Sequence, residues 1–175
     1  LTELGVHAEY VDLIKMLYRE QQSTVLSGSE SRPFTLERGV KQGDPVSSLL
    51  FLAVMEVCFR RLKAKWNRLN LQRAGHYYGV VVDDPCEPLT NFRFADDVIL
   101  VAASRTDVKR MLTDLNAEAA TFGLKLHAGK TKVLVTDALA RHSPISCPGF
   151  DVQVLQEGES EKYLGRKLSV DDFRY

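Results

Sequence analysis

Asn91-Phe92-Arg93-Phe94-Ala95-Asp96-Asp97-Val98-Ile99-Leu100-Val101-Ala102 is the stretch on which the fold turns. Its two ends, Asn91 to Phe94 and Val98 to Ala102, are short and apolar enough to read as strands, and Ala95-Asp96-Asp97 joins them. Two adjacent carboxylates at the tip of an apolar hairpin repel each other, and a divalent cation bound through carboxylate oxygens is the natural compensation. Successive strand side chains point to opposite faces, so the two acids need not share one task, and Asp96 is expected to be the weightier metal ligand. Asp-Asp is also ordinary turn chemistry, so the pair gains force only from its surroundings. Asp83-Asp84 before Pro85, and Asp171-Asp172 near the end of the sequence, lack flanking apolar strands and read as loop and terminal acids.

Upstream of the hairpin, Val11, Ile14, Leu17 and Tyr18 recur at helical spacing, which predicts a helix over 8–21 with one buried stripe. Ser23 to Leu26 and Pro33 to Leu36 flank the turn-rich 27–31 and predict a hairpin. Asp44 suits a helix N-cap and Pro45 the first helical position of a long apolar helix, one so uniformly apolar through Met55 that it is expected inside the domain. Arg60, Arg61, Lys63, Lys65, Arg68 and Arg73 follow without an acid among them. They read either as a solvated helix end or as phosphate contacts. A strand over 79–82 is expected ahead of the acidic hairpin. Behind it come a helix carrying Val108, Met111, Leu112, Leu115, Ala119 and Phe122, with Thr106 as its cap and Gly123 as its stop, a strand over 132–136, and a hairpin over 152–169 turning at Glu157-Gly158-Glu159. Helices and hairpins without regular alternation predict an α+β layer, an antiparallel sheet backed by helices on one face.

Composition narrows the function classes. The 175 residues are 45% apolar, and Lys plus Arg and Asp plus Glu both number 23, so the formal net charge is zero and no global basic signature marks a nucleic-acid binder. Cys58, Cys86 and Cys147 are scattered, odd in number and without paired histidines, so neither a disulfide framework nor a zinc site is expected. The absence of a membrane-length apolar run or a secretory signal layout leads to the expectation of an intracellular protein, nuclear or cytoplasmic, that is not secreted.

Arg38-Gly39-Val40-Lys41-Gln42-Gly43-Asp44-Pro45-Val46-Ser47-Ser48-Leu49-Leu50-Phe51 resembles motif B of reverse transcriptases, and Phe94-Ala95-Asp96-Asp97 resembles motif C. Gly123-Leu124-Lys125-Leu126-His127-Ala128-Gly129-Lys130-Thr131-Lys132-Val133 is similar to motif D and Glu161-Lys162-Tyr163-Leu164-Gly165 to motif E. All four follow the family's order. The Phe-Ala-Asp-Asp variant and the 52 positions from Asp44 to Asp96 (96 − 44) look more like non-LTR retrotransposon enzymes than retroviral ones.

The resemblance implies a polymerase palm, with 1–175 as one partial reverse transcriptase domain holding motifs B to E, and with fingers, motif A and thumb missing. It implies an RNA-directed DNA polymerase that uses Mg²⁺, or alternatively Mn²⁺, on an RNA template, a DNA primer and deoxynucleoside triphosphates, away from membranes. Asp96 and Asp97 would be catalytic and metal-binding, and Gln42 and Gly43 nucleotide-binding. Lys130, with Lys132 as the alternative, would be the motif D lysine, and Tyr163, Leu164 and Gly165 the primer grip. His127 stands where many relatives carry asparagine, a departure that touches the motif D loop. A group II intron type of reverse transcriptase and a degenerate or domesticated nucleic-acid-binding remnant remain as alternatives. With motif A absent, the chain by itself is expected to be inactive, with at most weak, salt-dependent nucleic-acid binding through Arg60 to Arg73.

Overall fold

The computed structural model describes residues 1–36, 39–41, 43–72, 78–82, 87–137 and 143–173. Gln42, Arg73, Asp83, Asp84 and Cys86, all singled out in the sequence, lie outside that range. The chain divides into two compact units, Leu1–Val57 and Cys58–Tyr175.

In the first unit, a short 3-10 turn precedes α1 (Ala8–Tyr18). None of the α1 residues is buried, so its predicted buried stripe is not realised: Val11, Ile14 and Tyr18 are half-buried, and Leu17 is exposed. The expected hairpin forms in two nested pieces, β1 (Gln22–Ser23) with β4 (Phe34–Thr35) and β2 (Leu26–Ser27) with β3 (Ser29–Glu30). Gly39 and Gly43 have φ of 95° and 87°, and a Cβ at either would meet nothing within 4 Å. Left-handed backbone, rather than close approach, is what asks for glycine there. The Val46 N–H donates to Asp44 Oδ1 at 2.9 Å, and the Ser47 N–H to the Asp44 carbonyl, so Asp44 caps α2 (Pro45–Leu71) as its sequence suggests. The first half of α2 is not interior, however. Leu49 is 66% exposed and Leu52 is exposed as well.

The second unit holds the core. The later half of α2 buries Cys58, Phe59, Leu62 and Trp66, and α3 (Arg105–Thr121) buries Met111, Leu112, Leu115 and Ala119. Lys65 Nζ lies 2.7 Å from Asp114 Oδ1, Arg61 Nη1 lies 3.2 Å from Glu118 Oε1, and the Trp66 indole N–H donates to Asp114 Oδ2 at 3.0 Å. Two of the six cations in the basic stretch therefore tie α2 to α3.

The cap of α3 is Ser104, two residues before the predicted Thr106. Its hydroxyl accepts from the Asp107 N–H and donates to the Asp107 carboxylate, a reciprocal pair that Thr106 has no equivalent partner to build. At the other end, the Leu124 N–H reaches the Ala119 carbonyl and the Gly123 N–H the Ala120 carbonyl, with Gly123 at φ 74°. This is a Schellman closure that confirms the predicted glycine stop.

Among the described residues the strands form five small sheets instead of one. β5 (Asn91–Phe94) pairs with β6 (Asp97–Leu100). β7 (Lys132–Val133) runs parallel to β9 (Phe150–Val154), whose other edge takes β8 (Ile145–Cys147) antiparallel. β10 (Ser160–Tyr163) pairs with β11 (Arg166–Ser169). The α+β character stands, but the three-stranded sheet is mixed, and the acidic hairpin is a sheet of its own. The hairpin predicted over 152–169 is corrected: Val152 pairs backward onto Ile145 of β8, Val154 pairs with Val133 of β7, and the final hairpin starts at Ser160 and turns at Leu164-Gly165. The 79–82 strand reduces to one bridge, Val80 to Leu89. Beside it, a Cβ on Gly79 would stand 2.6 Å from the Leu89 carbonyl oxygen, an approach only glycine permits. Leu112, Val133, Ile145, Cys147, Val152 and Val154 form the core cluster, with Leu100, Val108 and Leu126 packed against it.

Candidate active site

The acidic hairpin closes as tightly as a hairpin can. Phe94 pairs with Asp97, leaving Ala95 and Asp96 as a two-residue turn, with Asp96 exposed at the tip. Ala95 has φ 53°, a left-handed value at the first central position, where a type II′ turn ordinarily takes glycine. A Cβ in that region costs about 1–2 kcal/mol. Leu164 is the corresponding case in the last hairpin, at φ 48° beside Gly165 at φ 84°. Non-glycine residues thus hold left-handed backbone at both hairpin tips that the motif reading singles out, and such strain recurs at functional sites.

The two faces of the acidic hairpin differ. Arg93 sets its guanidinium 4.7 Å from the centroid of the buried Phe59 ring, and Leu100 packs on the core cluster, so this face anchors the hairpin. Phe92 pairs with Ile99 and Phe94 with Asp97, and both phenylalanines are exposed. Asp97 therefore projects from a bare aromatic face, while Asp96 belongs to the turn. The anchoring role of Arg93 had no signal in the sequence beyond a charge inside an apolar strand.

Two adjacent, exposed carboxylates are a hard oxygen donor set of the kind Mg²⁺ prefers. Among the described residues, no group of three or more His, Cys, Asp or Glu side chains is placed to hold a metal ion. Two carboxylates by themselves are not a complete coordination shell.

The two candidate lysines are in different situations. Lys132 is on β7 opposite Gln153, and its ammonium donates to Gln153 Oε1 at 2.6 Å. Lys130 is exposed in the turn just before β7, and its ammonium has no hydrogen bond or ion pair among the described residues. Tyr163, Leu164 and Gly165 come together at the β10–β11 turn, Tyr163 half-buried and Leu164 exposed. Gly43 lies in the first unit, and Gln42 falls outside the described residues. The remaining acidic pair takes a structural role at Asp172, whose carboxylate accepts from the Ser169 N–H and hydroxyl.

No helix among the described residues is long and apolar enough to cross a membrane. Residues 1–168 match the family model described as reverse transcriptase (RNA-dependent DNA polymerase). The chain is 28% identical over 90% of its length to a "Retrovirus-related Pol polyprotein from type-1 retrotransposable element R2" of Nasonia vitripennis. It is 29% identical over 100% of its length to the corresponding type-2 element R2DM polyprotein of Drosophila melanogaster. It covers 15% of each of those relatives. The kinship with retrotransposons implied by Phe94-Ala95-Asp96-Asp97 and its spacing from Asp44 is borne out by these relatives. With a match over nearly its whole length and the acidic hairpin in place, this chain belongs to the reverse transcriptase (RNA-dependent DNA polymerase) family.

Proposed function

We propose that this chain supplies the palm motifs B to E of an RNA-directed DNA polymerase of a retrotransposon. One observation carries the reading: Asp96 is exposed at the tip of a strained hairpin whose other face is anchored on the core through Arg93 and Leu100. Asp96 and Asp97 would hold Mg²⁺, which would activate the primer 3′ hydroxyl and offset charge on the triphosphate. Gln42 and Gly43 would meet the incoming nucleotide, and Tyr163, Leu164 and Gly165 the primer end. The primer oxygen forms a bond to the α-phosphorus as the bond to the departing pyrophosphate breaks, and Lys130 donates a proton to that leaving group. The free ammonium of Lys130 favours it over Lys132, whose ammonium is engaged by Gln153.

An RNA template, a DNA primer and deoxynucleoside triphosphates are the partners this reading requires, in the nucleus or cytoplasm. The 175-residue chain alone is expected to be inactive, because two carboxylates are too few to hold two divalent cations against their mutual repulsion.

The test is Asp96→Asn in the polypeptide that carries this segment, assayed for nucleotide incorporation on a primed RNA template. Incorporation should fall by about a thousandfold or more, the scale on which loss of one preorganised charge-stabilising group is felt. The melting temperature should hold, since the residue is exposed. An unchanged rate would show that Asp96 is not the acid in question, and a polypeptide inactive even with Asp96 intact would favour the degenerate remnant.

A further inference from the structure

The turn that carries Lys130 is organised by one residue. The carbonyl of His127 accepts from the Lys130 N–H at 3.0 Å, the Thr131 N–H at 3.0 Å and the Thr131 hydroxyl at 3.0 Å. Its imidazole Nδ1 accepts from the same Lys130 N–H at 3.2 Å. Gly129 leaves room for the ring, since a Cβ there would stand 3.3 Å from His127 Cε1. Immediately beyond, β7 is locked into the core sheet, with the Leu155 N–H donating to the Val133 carbonyl.

Lys130 is thus held from both sides. Its amide is fixed by His127, and its chain neighbours enter a rigid strand, while its own ammonium has no partner among the described residues. An imidazole with its N–H on Nε2 presents Nδ1 as an acceptor, which is the service a side-chain amide oxygen performs in turns. The geometry shows how a histidine at this position can do that work.

From this we propose that His127 is a positioning residue: its Nδ1 lone pair fixes the backbone of Lys130 and so aims the ammonium that the proposed reaction uses as proton donor. The inference rests on that reading of Lys130. His127 touches no reacting atom. Its contribution is to limit the directions the lysine stem can take, and misplacement of a catalytic group by about 1 Å can cost two orders of magnitude in rate.

The experiment compares Lys130→Ala, His127→Ala, His127→Asn, His127→Phe and the double His127→Ala/Lys130→Ala in the polymerase that carries this segment. Single-turnover incorporation gives the rate at saturating nucleotide and the nucleotide dissociation constant separately, and melting temperature reports folding. Lys130→Ala is expected to slow incorporation by about a hundredfold. His127→Ala should slow it by about tenfold with the nucleotide dissociation constant unchanged, a share of the lysine's effect expected of a group that acts through it. His127→Asn, which restores an acceptor, should recover the rate. His127→Phe keeps a ring without the acceptor and should behave as His127→Ala, which covers the case in which alanine disturbs the fold.

The double variant should be no slower than Lys130→Ala alone, since a positioning residue has nothing left to position. A wild-type rate in both His127→Ala and His127→Phe beside a slow Lys130→Ala overturns the proposal and leaves the lysine reading intact. A wild-type rate in Lys130→Ala overturns the lysine reading and the proposal together.

Discussion

Leu1–Val57 and Cys58–Tyr175 spend their apolar residues in opposite ways. In the first unit, Tyr10, Leu13, Met16, Leu26, Val40 and Leu49 all stand exposed, and among the described residues only Ser47 and Val57 are buried. In the second, Phe59, Leu62, Trp66, Met111 and Val152 are almost wholly enclosed. A helix or hairpin with a bare apolar face gains little from its own folding, because burial of that face is the main stabilising term. The candidate acids, Lys130 and the β10–β11 turn all belong to the unit with the core, where rigid packing can hold a side chain in place. Folding stability should therefore reside in the second unit, and substitutions test that division in order of expected effect.

The largest loss is expected at Trp66. Its ring is fully buried, stacks with Tyr78 at a centroid separation of 6.2 Å, and donates to Asp114. Trp66→Ala removes all three, and a loss of about 3–5 kcal/mol in urea unfolding is expected. A loss below about 1 kcal/mol would mean that the second unit does not carry the stability of the chain.

The same division governs how much could be read from the sequence. Short-range signals were legible: Asp44 at a helix start, Gly123 at a helix stop, and Asp96 at a hairpin tip each have a local cause that a few neighbouring residues supply. What failed depended on partners far along the chain. Ile145-Ser146-Cys147 carried no strand expectation, and only the turn at Pro148-Gly149, with Gly149 at φ 84°, sends Phe150 back to pair with Cys147. That pairing draws Val152, and the parallel pairing with β7 draws Val154, away from the hairpin predicted for them. The apolar character of α2 was plain, but composition cannot say which half of a helix finds something to pack against. Of the candidate site, Asp96, Asp97 and Lys130 were singled out through their motif context, whereas His127 stood out only as a departure, because what it contributes is a hydrogen bond that no spacing rule encodes.

An intermediate effect is expected from pH at Cys58. Burial pushes its thiol from 9.0 up to about 11; the Glu118 carboxylate adds to the rise, while Arg61 and Arg93 oppose it. The sign follows from proton uptake: between these two values the folded chain keeps a proton that the unfolded chain has released. Stability contributed by the neutral thiol is complete below pH 9, and is lost as pH rises through about 11. Urea unfolding of the wild type should weaken more steeply between pH 9 and 11 than that of Cys58→Ala, in which no thiol titrates. Slopes against pH are the quantity to compare, because alanine also leaves a small cavity. Parallel slopes would mean that Cys58 is not enclosed as the second unit requires.

The smallest effect is expected in the first unit, and it is the sharpest check on the comparison. Met16 is 65% exposed on α1, and Leu49 is exposed on the first half of α2. Glutamine is nearly as good a helix former as either, so Met16→Gln and Leu49→Gln alter apolar surface while leaving helix propensity almost unchanged. A side chain already in water loses no burial on substitution, and each variant should shift urea unfolding by less than about 0.5 kcal/mol. Less exposed apolar surface should also make the variants more soluble at high concentration. A loss near 2–3 kcal/mol, the cost of removing a buried Leu or Met side chain, would show that these residues are covered in solution. The contrast between the two units would then fail at its first term, and the first unit would have to be credited with a core of its own.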